Sequence, residues 1–279
     1  MSLTAFWPAP AKLNLFLHVL GRRADGYHRL QTLFQFLDYG DELGFEVRSD
    51  GEIQRPLGAP LRADETDLVV RAALALKTAS GSALGADIRV LKRIPLGAGL
   101  GGGSSNAATT LVALNQLWRT GLSDSELAAI GLKLGADVPV FIHGHAAWAE
   151  GVGEVLSTVE LPQPCYAVLV PPVQVSTAEI FAAPELRRNT APISFEAFMQ
   201  GAGGNDCAPV TMARYPEVAG AFAWLARTAP ARMSGTGAAV FAAFPNRRLA
   251  EAAIAGSPQE WHGFVAQGLN LSPLAARVC

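Results

Sequence analysis

Charge is scarce in this sequence. Asp, Glu, Lys and Arg make up 16% of its 279 residues, where about 25% is usual. Hydrophobic residues reach 50%, a composition that excludes a disordered chain and describes a compact globular one. The formal net charge is −2. The basic residues are scattered, and no basic stripe marks a nucleic-acid track. Cysteine is sparse too: Cys165, Cys207 and Cys279 lie far apart and form no CxxC. They read as reduced cytosolic thiols without a metal site. No apolar run approaches the roughly 18 to 20 residues of a membrane helix. The N-terminus, MSLTAFWPAPAKLN, lacks the basic and apolar segments of a signal peptide. The expectation is a cytoplasmic protein of one large or two ordinary domains, with neither membrane nor nucleic acid as partner. Nothing in the sequence sets an oligomeric state.

Glycine, by contrast, is concentrated. Residues 95 to 109 read PLGAGLGGGSSNAAT, and a structural turn rarely needs five glycines. Gly97, Gly99 and Gly102 match GxGxxG formally, but Pro95 interrupts the approach, and the acid about 20 residues on, Asp124, falls in a helix cap instead of ending a strand. No Lys-Ser/Thr follows the last glycine, as a Walker A loop requires. No HRD or DFG is present, as a protein kinase requires. What remains is a loop leading through Ser104 and Ser105 into a helix N-terminus. There, unpaired N–H groups and the helix dipole favour an anion such as nucleotide phosphate.

Around this loop the pattern is mixed. KLNLFLHVL (12–20) alternates like a strand. It puts Leu13, Leu15, Leu17 and Val19 on a core face, and Lys12, Asn14, Phe16 and His18 on a face able to line a cleft. ADIRVLK (86–92) reads as a second strand. Residues 106 to 120 read as a helix stopped by Gly121. A further helix starts at Ser123, with a capping box to Glu126, and ends near Gly135. The prolines of LPQP (161–164) suggest a boundary, which divides the chain into residues 1–162 and 163–279. Beyond it CYAVLV and AAVFAAF read as strands, and PEVAGAFAWLA and RRLAEAAIA as helices. The expected class is α+β, with helices on one side of the C-terminal sheet.

Three more stretches, PAPAKLNLFLHVLGRRADGYHRLQT (8–32), GADVPVFIH (135–143) and MSGTGAAVF (233–241), join the glycine loop in resembling the GHMP kinase superfamily. The first resembles the 4-diphosphocytidyl-2-C-methyl-D-erythritol kinase family, as do TDLVVRAA (66–73), PPVQVSTAEIF (171–181) and GGNDCAPV (203–210). The resemblance implies the two-domain GHMP kinase fold, with a ribosomal-protein-S5-like N-terminal domain and a ferredoxin-like C-terminal α/β sandwich. It implies ATP-dependent phosphorylation of the 2-hydroxyl of a cytidine-diphosphate-bearing alcohol in the non-mevalonate isoprenoid route. Pro95, Leu96, Gly97, Ala98, Gly99, Leu100, Gly101, Gly102, Gly103, Ser104 and Ser105 would hold ATP. Ala98 stands where glycine is expected, which requires a negative φ there.

Asp137 would be the base. Lys12 beside it would keep it charged or favour ionisation of the substrate hydroxyl, and the two roles stay open. On the same resemblance, Asn14, Tyr27, His28, Thr177 and Phe181 would bind substrate. Tyr27 and Phe181 would lie on either side of the cytosine, with His28 hydrogen-bonding it. Ser234, Gly235, Thr236 and Gly237 form a second glycine loop, either a wall of the active site or a tight turn that starts a strand. Asn205 and Asp206 are assigned structure, not chemistry. Magnesium is expected with ATP, without an assigned protein ligand. Another GHMP substrate (homoserine, mevalonate or a sugar), or a non-enzymatic nucleotide binder of this fold, are the alternatives.

Overall fold

The structure is a computed structural model that describes residues 6–24, 26–55 and 67–278. Cys279 and Thr66, named above, lie outside the described residues. The strands are β1 (Trp7–Arg22), β2 (His28–Arg48), β3 (Ile53–Gln54), β4 (Gly85–Leu91), β5 (Ala147–Glu150), β6 (Val155–Thr158), β7 (Cys165–Val170), β8 (Ala231–Met233), β9 (Val240–Phe244) and β10 (His262–Leu269). The helices are α1 (Leu68–Ser80), α2 (Gly102–Leu117), α3 (Asp124–Leu132), α4 (Val138–His143), α5 (Thr177–Ala182), α6 (Phe195–Met199), α7 (Ala208–Arg214), α8 (Pro216–Ala226), α9 (Arg247–Ile254) and α10 (Pro273–Val278).

One sheet runs through the molecule in the order β3-β4-β2-β10-β7-β9-β8, with β1 and β5 also on β2 and β6 on β5. The 21-residue β2 is its spine. Helices α1 to α4 pack around β1, β2 and β4 in one core, which Leu274 of α10 also joins. Helices α8 and α9 cover one face of β7, β9 and β10. The opposite face meets β1. All six residues of β7 are buried, as two covered faces require. The expected strands and helices are present with shifted ends, and the Ser123–Glu126 capping box forms.

The strict alternation of the 12–20 strand does not hold. Register shifts interrupt the β1–β2 pairing between Pro10 and Lys12, Asn14 and Leu17, and Val19 and Gly21. An extra residue moves the following side chains to the other face. Leu13, Leu15 and Phe16 therefore share one core, and Leu17 and Val19 join another. Phe16, expected on the cleft face, packs against Trp148 and Phe198. Leu17, expected in the core alone, reaches the cleft.

Helix α2 begins at Gly102, inside the glycine run, four residues before the expected start at 106. Helix propensity argues against that start, but packing decides it. A Cβ at Gly102 would come within 3.0 Å of Ile94 Cγ2, and one at Gly103 within 3.3 Å of Leu68 Cδ1. The two glycines let the first turn pack closely against Ile94 and Leu68.

Candidate active site

A cleft of about 400 Å³ opens where β1, the glycine loop, α4, α5 and the second glycine loop converge. Lys12, Asn14, residues 95–104, Asp137, Thr177, Phe181, Gly235 and Thr236 line it. Many of the expected site residues thus meet around one space, while Tyr27, His28, Ser105, Ser234 and Gly237 lie outside its lining.

The glycine loop is shaped by φ. Gly97, Gly99 and Gly101 have φ of 65°, 72° and 73°, while Ala98 and Leu100 between them are not in the positive-φ region. Such sign alternation turns successive backbone N–H groups toward a common concavity. Ala98 therefore meets its requirement. The loop carbonyls are occupied: Ala98 O accepts from Ala239 N (2.9 Å), Leu100 O from Lys12 N (3.0 Å) and Gly101 O from Ser105 N (2.8 Å). Gly99 O accepts from Lys12 Nζ at 3.2 Å and Ser234 Oγ at 2.9 Å. Among the described residues, no N–H from Gly99 to Ser104 donates to a backbone carbonyl. Six donors are left at a helix N-terminus, the arrangement that receives an anion. Ser104 lines the cleft. Ser105 does not; it is fully buried and its hydroxyl has no partner.

Lys12 and Asp137 meet across the cleft floor, Nζ to Oδ2 at 3.1 Å. Lys12 is buried, and Asp137 keeps 34% of its side-chain exposure, enough to reach a ligand. Lys12 Nζ also donates to Asn14 Oδ1 and to Gly99 O. Its three hydrogens are therefore committed. Asn14 lines the cleft, but its side chain works on its neighbours: Oδ1 holds Lys12, and Nδ2 donates to Thr32 Oγ1 at 3.0 Å. Asp137 occupies the N-cap of α4 but makes no capping bond, so its carboxylate stays free for Lys12. Pro139 lies in the first turn of α4, where its fixed φ suits helix initiation and its missing N–H costs nothing.

The second glycine loop braces the first. Ser234 is fully buried and its hydroxyl accepts from Asn14 N at 3.1 Å while donating to Gly99 O. A Cβ on Gly99 would meet Ser234 O at 2.2 Å and Gly237 O at 2.9 Å. Thr236 touches Thr177, with hydroxyls 3.0 Å apart. Behind this loop, Asn205 Nδ2 donates to Met233 O and Gly235 O, both at 2.8 Å, and Asp206 Oδ2 accepts from Val19 N at 2.7 Å. Both side chains are bonded to backbone groups.

The aromatic residues divide. Phe181 lines the cleft and stacks on His28, with centroids 5.2 Å apart and planes at 26°. Tyr27, 63% exposed, lines an adjoining hollow with Arg23, Lys133 and Glu154. The two hollows share Ala136 and Val152. His28 has its pKa lowered, first by burial and then by the charges of Arg188 and Arg22. Sequence reasoning missed Thr32, which orients Asn14, and Arg188, which donates to His28 Nε2 at 3.1 Å. Thr32 closes the 8–32 stretch but was given no role there, and Arg188 lies in none of the quoted motifs. Among the described residues no group of three His, Cys, Asp or Glu is placed to hold a metal ion, and no helix is long and apolar enough to cross a membrane.

Comparison with known proteins gives the family of the chain. The profile of the GHMP kinases N terminal domain matches residues 67–145, and that of the GHMP kinases C terminal domain matches 182–262. Curated 4-diphosphocytidyl-2-C-methyl-D-erythritol kinases are similar over nearly the whole chain. That of Nitrosococcus oceani is 56% identical, covering 96% of this chain and 96% of its own. That of Alkalilimnicola ehrlichii is 57% identical, covering 100% and 96%. The chain belongs to the 4-diphosphocytidyl-2-C-methyl-D-erythritol kinase family. A crystal structure of 4-(cytidine 5'-diphospho)-2C-methyl-D-erythritol kinase superposes with a TM-score of 0.80 at 33% identity, covering 95% of this chain and 99% of its own. The mevalonate kinase of Methanococcus jannaschii shares the fold, with a TM-score of 0.70 at 14% identity over 96% of this chain and 99% of its own.

Proposed function

We propose that this cleft transfers the terminal phosphoryl group of ATP to the 2-hydroxyl of 4-diphosphocytidyl-2-C-methyl-D-erythritol. The observation that carries the chemistry is the Lys12–Asp137 pair, 3.1 Å apart, beside a loop with unspent N–H donors. Phosphoryl transfer needs positioning and charge stabilisation more than covalent chemistry. The N–H groups of Gly99 to Ser104 cradle the phosphates. Asp137 accepts the proton of the attacking hydroxyl. Lys12 holds that carboxylate in place and offers positive charge to the oxygen as it attacks. Asn14 and Thr32 fix Lys12, and Thr177 and Thr236 close the side of the cleft.

His28 and Phe181 meet the cytosine, with Tyr27 at its outer margin. The two functional halves are residues 1–162 and 163–279, with α10 packed back on the first. The protein works in the cytoplasm. Asp137 is the one acidic residue among those that line the cleft. That donor set fits a magnesium ion held chiefly by phosphate oxygens and water, with the Ser104 hydroxyl at hand. Such an ion neutralises phosphate charge.

The test is turnover with Mg·ATP and 4-diphosphocytidyl-2-C-methyl-D-erythritol, reading ADP and product mass, beside homoserine, mevalonate and galactose. Phosphorylation of the cytidine compound alone is expected. Activity on another alcohol would keep the kinase chemistry and remove the cytidine pocket.

A further inference from the structure

Arg188 lies in the irregular stretch between α5 and α6, outside the cleft lining. Its guanidinium is nonetheless tied to the His28 ring and to the backbone of Phe181, the two residues assigned to the base. Nε donates to His28 Nε2 at 3.1 Å, and Nη2 donates to Phe181 O at 2.9 Å and Ala183 O at 2.6 Å. Nη1 donates to Leu186 O at 3.0 Å. The planar fork is thus spent on one ring nitrogen and three carbonyls, a pattern that a point charge cannot copy.

A guanidinium only donates. His28 Nε2 must therefore accept, and the neutral imidazole carries its hydrogen on Nδ1. The lowered pKa of His28, caused by burial and then by Arg188 and Arg22, keeps the ring neutral at physiological pH. With Nε2 engaged, Nδ1 is the nitrogen left to meet a base, and it is a donor. Cytosine presents an unprotonated N3 on its pairing edge, where uracil carries N3–H. A fixed donor distinguishes the two.

We propose that Arg188 is a positioning and specificity-determining residue: it fixes His28 as an Nδ1–H donor against Phe181, so that the pocket accepts cytosine and disfavours uracil. This rests on the cytidine reading of the cleft given above.

The experiment combines nitrogen-15 NMR of the His28 ring in the substrate-free enzyme with kinetics on the cytidine alcohol and its uridine analogue. The unaltered enzyme is expected to show the Nδ1–H tautomer at neutral pH and to prefer cytidine by about tenfold or more, the worth of one hydrogen bond plus an unpaired donor. Arg188→Met loses the fixed tautomer. Its KM for the cytidine alcohol rises about tenfold, its cytidine preference falls by a similar factor, and kcat and the KM for ATP change little. Arg188→Lys, with the charge but not the fork, behaves alike. An Nε2–H tautomer in the unaltered enzyme, or an undiminished cytidine preference in Arg188→Met, overturns the proposal. So does an equal rise in both KM values, which marks a general structural role. If Arg188→Met does not fold, the tautomer and the base preference of the unaltered enzyme still decide. Turnover of neither pyrimidine alcohol by the unaltered enzyme would sink the substrate reading instead, and the tautomer would then be judged by NMR alone.

Discussion

Lys12 Nζ bridges Asp137 Oδ2, at 3.1 Å, and the carbonyl of Gly99, at 3.2 Å. One buried ammonium thereby joins the base to the phosphate loop, and a change in either is felt by the other.

Lys12→Met tests that bridge. It removes the donor to Asp137, Asn14 and Gly99 together. The expected result is a fall in kcat of about 10² or more, since both charge support and proton chemistry suffer. A steady-state rate assay checks it, and a loss confined to the KM for ATP would show that Lys12 serves binding alone.

Gly99→Ala tests the contact between the two glycine loops. Its φ of 72° costs a side chain about 1 kcal/mol or more. The added Cβ would also press on Ser234 O at 2.2 Å, a backbone atom that cannot turn aside. The expected outcome is lower thermal stability together with a raised KM for ATP, because the loop must move. Unchanged ATP affinity would place the phosphates elsewhere.

Asn205→Ala removes the donor to Met233 O and Gly235 O. Two part-buried carbonyls lose their partner, which should cost about 1 to 3 kcal/mol in a urea titration. Turnover at saturating substrate should fall less than in Lys12→Met, because Asn205 supports the second loop and touches no reacting group.

The pH dependence follows from His28. Its folded pKa lies below the ordinary 6.5. Above that value the ring is neutral in both folded and unfolded chains, and its contribution to stability is complete. As pH falls below 6.5 the unfolded chain takes the proton first, and stability declines until the folded pKa is passed. Protonation also converts Nε2 from acceptor to donor against Arg188. The KM for the cytidine alcohol should therefore rise on acidification while the KM for ATP stays flatter. His28→Ala should abolish the difference. Parallel pH profiles for both substrates in the unaltered enzyme would contradict this.

The glycine loop and the C-terminal helices were legible because each rests on residue identity or on a clean period, whereas Lys12 and Asp137 were singled out through the resemblance of the 8–32 and 135–143 stretches, and the structure brings the two together. The strand β2 was not, because its alternation is broken by polar residues that are nonetheless buried: Gln31, Thr32, Gln35 and Asp41. Each is satisfied by a partner far along the chain. Asp41, for example, accepts from Lys92, Arg93 N and Ile94 N. The bulges of β1 were hidden for a different reason. Leu15, Phe16 and Leu17 are apolar enough to suit either face, so pattern alone could not locate the shift at Asn14/Leu17. Arg188 was invisible because an arginine in a polar loop carries no signal until tertiary structure brings His28 to it.

The most direct measurement is single-turnover phosphoryl transfer by Asp137→Asn with saturating Mg·ATP and 4-diphosphocytidyl-2-C-methyl-D-erythritol. The substitution keeps the size of the side chain and removes the base. A transfer rate lowered by about 10² or more, with ATP still bound, is the predicted result. A rate near that of the unaltered enzyme would contradict the role of the Lys12–Asp137 pair in the transfer.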